Sequence, residues 1–510
     1  MASTKRAVFW FRRGLRLHDN PALLAAARES ASLTPVFIIN RARHSPQRCG
    51  RAKMKFLLES LAALDTELRA RNSSLVVLSG DDEKDVLMRS MEAFETDALY
   101  FESAPEPHLR AVDEGIEAAC RSKGIDVRTE GSHLVWDHDV LEDLAEGRVI
   151  TQYQSFLKLL DRAGAPAEPE GDAPAALPGV CAAAARGGAG VPSLESLGFG
   201  AGDGEANLVP GGEKEGLARM GRMLGRDAYI CEFEKPKTSP TALQPSTTVL
   251  SPYLTWGCLS PRRFYHGVLE VYRRNGGRAS KPPTSLEGQI LWREFYYYNG
   301  RTVPNYDRML GNPICKQIPW TRDAELLEAW RGARTGYPWI DAAMTQLRTQ
   351  GWIHHLARHA VACFLTRGDF WVHWELGRDV FDELLLDADW SLNNGNWMWL
   401  SASAYFHQYF RVYGPVSFAK KYDPEGKYVR HFLPVLKDMP KKYIYEPWTA
   451  PPEVQRAAKC VVGVDYPRPV VVHQDVNKQL IGRMAAAYKA NKGSAPPPAA
   501  TNKAKRARTT

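Results

Sequence analysis

The chain has 510 residues, 44% of them hydrophobic, a formal net charge of +8 and eight cysteines. That length has room for two or three domains and a substantial core, and no apolar run approaches the roughly 20 residues a membrane span needs, so a soluble protein is expected. Cys49, Cys120, Cys181, Cys231, Cys258, Cys315, Cys363 and Cys460 show neither CxxC pairs nor the dense spacing of a secreted disulfide scaffold, and read as reduced core thiols of an intracellular protein.

Six of the positive charges (Lys489, Lys492, Lys503, Lys505, Arg506 and Arg508) stand in a C-terminal stretch without acids, which leaves 8 − 6 = +2 for everything else. Global charge is therefore a weak argument for a polyanionic partner, and any nucleic-acid contact must come from a local patch. The opening "MASTKRAVFWF" runs straight into a strand pattern and has neither a signal peptide's apolar stretch nor a long transit segment.

Up to about residue 132, "RAVFWF", "TPVFII", "SLVVLS", "DALYFE" and "IDVRT" alternate with amphipathic segments, and Leu57, Leu61, Leu64 and Leu68 repeat on one helix face. Strands alternating with helices predict a parallel α/β sheet. The turn after the first strand, "FRRGLRLHDNPAL", lacks the GxGxxG of a dinucleotide site, although its strand ends could still hold some ligand. Residues 133–215 are expected to be an interdomain linker, rich in Ala, Gly and Pro from about 161 onward. From 216 to 490 helical patterns dominate, and eleven of the 14 tryptophans fall between 251 and 400, as a large aromatic-rich helical core would require. The tail 491–510 is Pro/Ala-rich and then basic, so it is expected to be disordered; "KAKRAR" would suit nuclear import or phosphate binding.

Four clusters in the helical region carry chemistry. Thr247, Thr248 and Ser251 stand just before an apolar helical pattern, a placement that suits a phosphate or an ordinary helix cap. Gln289, Trp292 and Arg293 share one helical face that could grip a flat polar ligand, or simply bridge core to surface. His355 and His359 stand i, i+4 with Arg358 alongside; no Glu or Cys accompanies them, so metal binding is not expected, and proton donation or a structural role remains open. "DADWSLNNGNWMWLSAS" (387–403) packs two carboxylates, three asparagines and three tryptophans together with no basic residue. Buried acids need donors and asparagine offers both donor and acceptor, so the stretch suits an uncharged ring system with N–H and C=O groups. Trp371 and Trp374 are i, i+3, and with Trp397 could form a line of oxidisable indoles.

These segments, with "TGYPWIDAAMTQLRTQGWIHHLARHAVACFLTRGD" and "YDPEGKYVRHFLP", resemble the photolyase/cryptochrome flavoproteins, most closely the (6-4) photolyase and animal-like cryptochrome branch. The match runs along the chain in order; only the linker and tail fall outside it. The resemblance implies an N-terminal Rossmann-like α/β antenna domain with a five-stranded parallel sheet, and a large all-α domain holding U-shaped FAD. It assigns Lys235, Thr247, Thr248, Val249, Leu250, Ser251, Gln289, Trp292, Arg293, His355, Arg358, Asp387, Asp389 and Asn393 to FAD, with Arg358 pairing Asp387, the two acids facing the flavin and its sugar region, and Asn393 at N5. Electron transfer would run through Trp397, Trp374 and Trp320, with Trp371 as a fourth member.

By the same resemblance Gln289, Trp292, Trp399 and Tyr413 would contact a flipped-out lesion in UV-damaged DNA, and His355 and His359 would supply the proton for (6-4) repair. Cyclobutane-dimer photolyases usually carry asparagine where His355 stands, which favours the (6-4) lesion. The expected activity is light-driven electron transfer from reduced FAD to that lesion, by a monomer in the nucleus. The antenna stays open between 8-hydroxy-5-deazaflavin, a folate or none. The alternative is a blue-light cryptochrome or circadian regulator with a clock or signalling partner, although such members often carry longer C-terminal extensions than the some 20 residues here. A dark FAD oxidoreductase is disfavoured by the missing nicotinamide site.

Overall fold

The structure is a computed structural model and describes residues 4–187, 190–200 and 208–491. Five parallel strands, β1 (Arg6–Phe11), β2 (Ser32–Asn40), β3 (Val76–Gly80), β4 (Ala98–Glu102) and β5 (Asp126–Glu130), lie in the order β3-β2-β1-β4-β5. All five fall within about two residues of the strand runs expected. The alternation of β1 sets its two faces: Ala7, Phe9 and Phe11 enter the core shared with the helical region, while Val8 and Trp10 pack with Val36, Ile38, Leu99 and Phe101 on the other side. Leu57, Leu61, Leu64 and Leu68 are buried along the helix Arg51–Arg69, as their spacing predicts.

The chain reverses its direction of strand addition between β1 and β4, and such a switch point leaves a crevice beyond the strand ends. A cavity of about 170 Å³ opens there, lined by Trp10 and Arg12 from the β1 side, Ile38 and His44 from the β2 side, and Glu102 and Ser103 from the β4 side.

The stretch 133–215 differs from the linker expected. Its first part forms two helices, His138–Leu144 and Tyr153–Ala163, and Tyr153, Phe156, Leu159 and Leu160 are buried in the shared core. The Pro/Ala-rich part does lack regular structure, yet it is tied to the N-terminal domain by backbone bonds from Asp19 to Gly171, Leu33 to Gly179 and Leu177 to Arg71. Small residues allow such close lateral contact without helical periodicity, so periodicity alone could not reveal it.

From Glu213 onward the described residues form helices and turns; those up to Tyr298 pack into the core shared with the sheet, and those from Val303 build most of a second core that contains Trp320, Trp330, Trp339, Trp371, Trp374 and Trp397. The eight cysteines are free. No described helix is long and apolar enough to cross a membrane. The basic run "KAKRAR" lies outside the described residues.

Candidate active site

Two helices frame the site, Leu286–Thr302 and Trp390–Leu400, and a glycine lets them meet: a β-carbon at Gly395 would stand 2.3 Å from Cδ1 of Tyr296. This accounts for the glycine within "NNGN". Asp389 starts the second helix by accepting the Leu392 N–H through Oδ1 at 3.1 Å, and its Oδ2 accepts a hydrogen bond from the Tyr297 hydroxyl. Burial raises its pKa. Asp389 therefore carries a helix-starting task that the sequence reading did not assign.

Asp387 is held differently. Its Oδ2 accepts from Ser251 Oγ at 2.6 Å and from Arg358 Nη2 at 2.9 Å, as the Arg358–Asp387 expectation required, while its Oδ1 is buried without a partner. The 247–251 turn reaches Asp387 through Val249, a β-branched residue at φ 48°, strained backbone of the kind found where a loop is held to fit a site. Thr247 and Thr248 are half-buried beside it, and the Thr248 carbonyl accepts from Arg219 Nε.

Asn393 donates through Nδ2 to the Arg378 carbonyl and to Asp382 Oδ1 at 2.6 Å, which directs its own carbonyl oxygen away from them. Gln289 likewise donates to the Pro283 and Ser285 carbonyls and leaves Oε1 buried and unpartnered. Buried oxygens left without donors fit a ligand that brings N–H and O–H groups, as FAD does.

Arg293 is placed differently from the shared face expected. It is buried, donates to the His133 carbonyl at 2.8 Å and to Glu294, and lies 4.7 Å from the Tyr297 ring centre, so it ties the helix to the N-terminal domain. A side chain this long turns toward the nearest carboxylate, whatever face its Cα occupies. Trp292 stacks on Tyr153 at 4.0 Å and meets Trp399 edge to face at 5.5 Å.

His355 and His359 are brought together, ring centres 5.9 Å apart and nearly perpendicular, and His359 Nδ1 lies 3.1 Å from the Tyr413 hydroxyl. His359, Trp399, Arg411 and Tyr413 line one cavity of about 370 Å³. Burial, then the nearby Lys235 ammonium, lowers both imidazoles, His359 to about 3. Loss of hydration and Arg358 bring Lys235 itself down to about 8. The pair is thus neutral near pH 7, surrounded by cations and without an acid to raise it.

The tryptophans form a partly connected array. Trp320 and Trp371 are in ring contact at 4.5 Å because residues 321 and 371–373 pair as short extended segments. Trp397 packs on the helix Trp374–Leu384 at Gly377, one turn beyond Trp374. Trp374 makes ring contact with neither Trp397 nor Trp320. The indole N–H groups of Trp397 and Trp320 are buried without partners. Among the described residues no group of three or more His, Cys, Asp or Glu is placed to hold a metal.

Residues 7–175 match a family model described as DNA photolyase, and residues 285–486 one described as the FAD binding domain of DNA photolyase. The chain is 49% identical over 507 residues to a (6-4)DNA photolyase of Oryza sativa subsp. japonica, covering 96% of this chain and 91% of that protein. The chain belongs to the photolyase/cryptochrome family. It is also 47% identical to cryptochrome-2 of Gallus gallus, covering 95% of this chain and 83% of that one. An archaeal photolyase from Sulfolobus tokodaii, solved with two FAD molecules, superposes with a TM-score of 0.73 at 27% identity, covering 94% of this chain and all of that one.

Within the family frame, the sequence reading missed three residues. Gly377 and Tyr297 had no signal beyond a helix interior, and His133 stands in a stretch taken for linker. Only the folded chain brings each to its partner.

Proposed function

We propose that this protein is a (6-4) DNA photolyase that repairs pyrimidine-pyrimidone photoproducts with light. The carrying observation is the half-buried His355/His359 pair, with His359 lining a cavity that also presents Trp399 and Tyr413, in a chain so similar to a plant (6-4)DNA photolyase. FAD would be held by Lys235, the 247–251 turn, Gln289, Arg358, Asp387, Asp389 and Asn393, and when bound it supplies the light-absorbing redox chemistry.

The protein's own residues supply geometry, electrons and a proton. Trp371, Trp320, Trp374 and Trp397, all buried, would carry electrons toward the pocket. Trp292, Trp399 and Tyr413 offer aromatic faces to an unstacked base, and extruding a damaged step costs less than extruding a paired one; photolyases are themselves among the known base flippers. His359 hydrogen-bonds Tyr413, which orients its ring at the cavity, and the histidine pair gives a proton to the lesion. Arg411, exposed at the cavity, meets the phosphate backbone.

The cavity beyond the β-strand ends is the antenna site. Arg12, Arg13, Arg43 and Lys53 outnumber Glu83 and Glu102 in its lining, which suits an anionic chromophore such as 8-hydroxy-5-deazaflavin or a folate, although Arg12 and Arg13 are themselves paired with Asp113 and Glu106. In the archaeal photolyase the two FAD molecules imply a novel light-harvesting cofactor. Action in the nucleus as a monomer belongs to the same reading.

Similarity to chicken cryptochrome-2 favours a second role as a photoreceptor with a clock partner. The deciding experiment for repair illuminates purified, reduced protein with oligonucleotides carrying one lesion or the other; restored pyrimidines from the (6-4) photoproduct support the reading, and none with FAD bound opposes it.

A further inference from the structure

We propose that His133, Tyr297 and Asp389 form a proton relay from the N-terminal cavity to the flavin pocket, separate from the tryptophan route that carries electrons. The inference rests on the reading of the pocket as the FAD site.

The geometry is continuous. The Tyr297 hydroxyl donates to Asp389 Oδ2, and His133 Nε2 lies 2.7 Å from the same hydroxyl oxygen. All three side chains are buried. A phenol that gives its proton to the carboxylate can only accept from the imidazole, so Nε2 carries the hydrogen and Nδ1 presents a lone pair. That Nδ1 is buried and unpartnered, and His133 lines the cavity, whose rim at Arg43 is exposed. A buried imidazole nitrogen without a partner needs an explanation, and a transient proton from cavity water or ligand is one.

The transfer balances without any co-reactant. A proton binds His133 Nδ1, the Nε2–H bond breaks as its proton passes to the Tyr297 oxygen, and the phenolic O–H breaks as that proton passes to Asp389. One proton moves from cavity to carboxylate, and rotation of the hydroxyl and imidazole resets the chain.

No other group on the pocket serves as well. The indole N–H groups of Trp397 and Trp320 are buried without hydrogen-bond partners, so the tryptophans form no continuous hydrogen-bonded path. Asp387 is paired with Arg358 and Ser251, Asn393 is no acid, and His359, with His355 beside it, faces the other cavity. The charged groups around Asp389 are Arg13 and Glu106 from the loops after β1 and β4 and Arg293 from the Leu286–Thr302 helix. Burial, with Arg293, Arg13 and Arg16, holds His133 well below the ordinary imidazole value, so its charged form exists only in passing, while burial raises Asp389, the proton's destination.

The alternative is a static network that only locks the domains together. Tyr297→Phe keeps the ring and removes the hydroxyl; His133→Gln keeps a donor to Tyr297 but cannot take a proton on one atom and release another. Proton uptake during photoreduction is followed with a pH-indicator dye in H₂O and D₂O, with electron arrival followed by tryptophan-radical absorbance. Both variants should slow proton uptake at least tenfold and leave electron arrival unchanged. In the dark, full-length protein, ¹⁵N NMR should show His133 as the Nε2–H tautomer, and Tyr297→Phe should abolish that preference. Uptake at the wild-type rate in either variant with FAD bound overturns the relay while the FAD reading stands; should Tyr297→Phe fail to fold, His133→Gln decides alone. Wild-type protein that neither holds FAD nor photoreduces fails the FAD reading itself.

Discussion

A β-carbon at Gly377 would lie 2.2 Å from Cη2 of Trp397. Trp397, proposed as the innermost tryptophan, is therefore seated against bare helix backbone, and the helix that seats it also carries Trp374. Trp397 is fully buried, and its ring also meets Phe381 at 5.0 Å, so it has nowhere to retreat. Gly377→Ala should cost about 1–3 kcal/mol through overpacking and slow flavin photoreduction by displacing the indole. Thermal melting and photoreduction kinetics check this; wild-type values in both would contradict it.

The outer end of the chain should behave differently from the inner end. Trp397→Phe is expected to abolish nearly all photoreduction. Trp371→Phe leaves early charge separation intact and shortens its lifetime, because Trp371 shares the hole only with Trp320 at 4.5 Å. Transient absorption separates the two, and repair by chemically reduced protein should survive either change.

His355→Ala and His359→Ala should each lower the (6-4) repair yield strongly, within the roughly 10²–10⁴-fold range of general acid catalysis, at near-normal FAD content. The yield per bound flavin decides: an unchanged yield removes the proton-donor role.

Lys235 is the charge that lowers both histidines most, after burial. Lys235→Gln should raise their pKa values. A yield that needs the charged imidazole falls as pH rises through the pKa, so its midpoint should stand below the ordinary histidine value in the wild type and move upward in the variant. A pH profile of repair yield measures both.

His44 is buried beside the N-terminal cavity, and burial lowers its pKa to about 3. Between that value and about 6.5 the unfolded chain binds a proton that the folded chain refuses, so stability falls as pH falls. His44→Gln should flatten the acid side of the stability curve by at most about 1.4 kcal/mol per pH unit. Denaturant melts at pH 7 and pH 5 test the sign.

Much of this was legible before folding. The strands announced themselves through runs such as "RAVFWF", and Arg358 pairs with Asp387 as the family pattern implies, whereas the bond from Ser251 to Asp387 was not foreseen. Arg293 misled because helical periodicity places Cα atoms, while its guanidinium follows Glu294 and the His133 carbonyl. The depressed histidines were half legible: burial was foreseeable, but the cationic company of Lys235 comes from a segment 120 residues from His355. Tyr297 reads as one more aromatic in "FYYYN" until His133 and Asp389 are seen on either side of its hydroxyl.

The central claim is tested most directly by lesion-specific repair. Reduced protein under blue or near-UV light should convert an oligonucleotide bearing a (6-4) photoproduct to intact pyrimidines and leave a cyclobutane dimer largely unchanged. FAD-loaded, reduced protein that binds the (6-4) oligonucleotide and restores none of it would contradict the account.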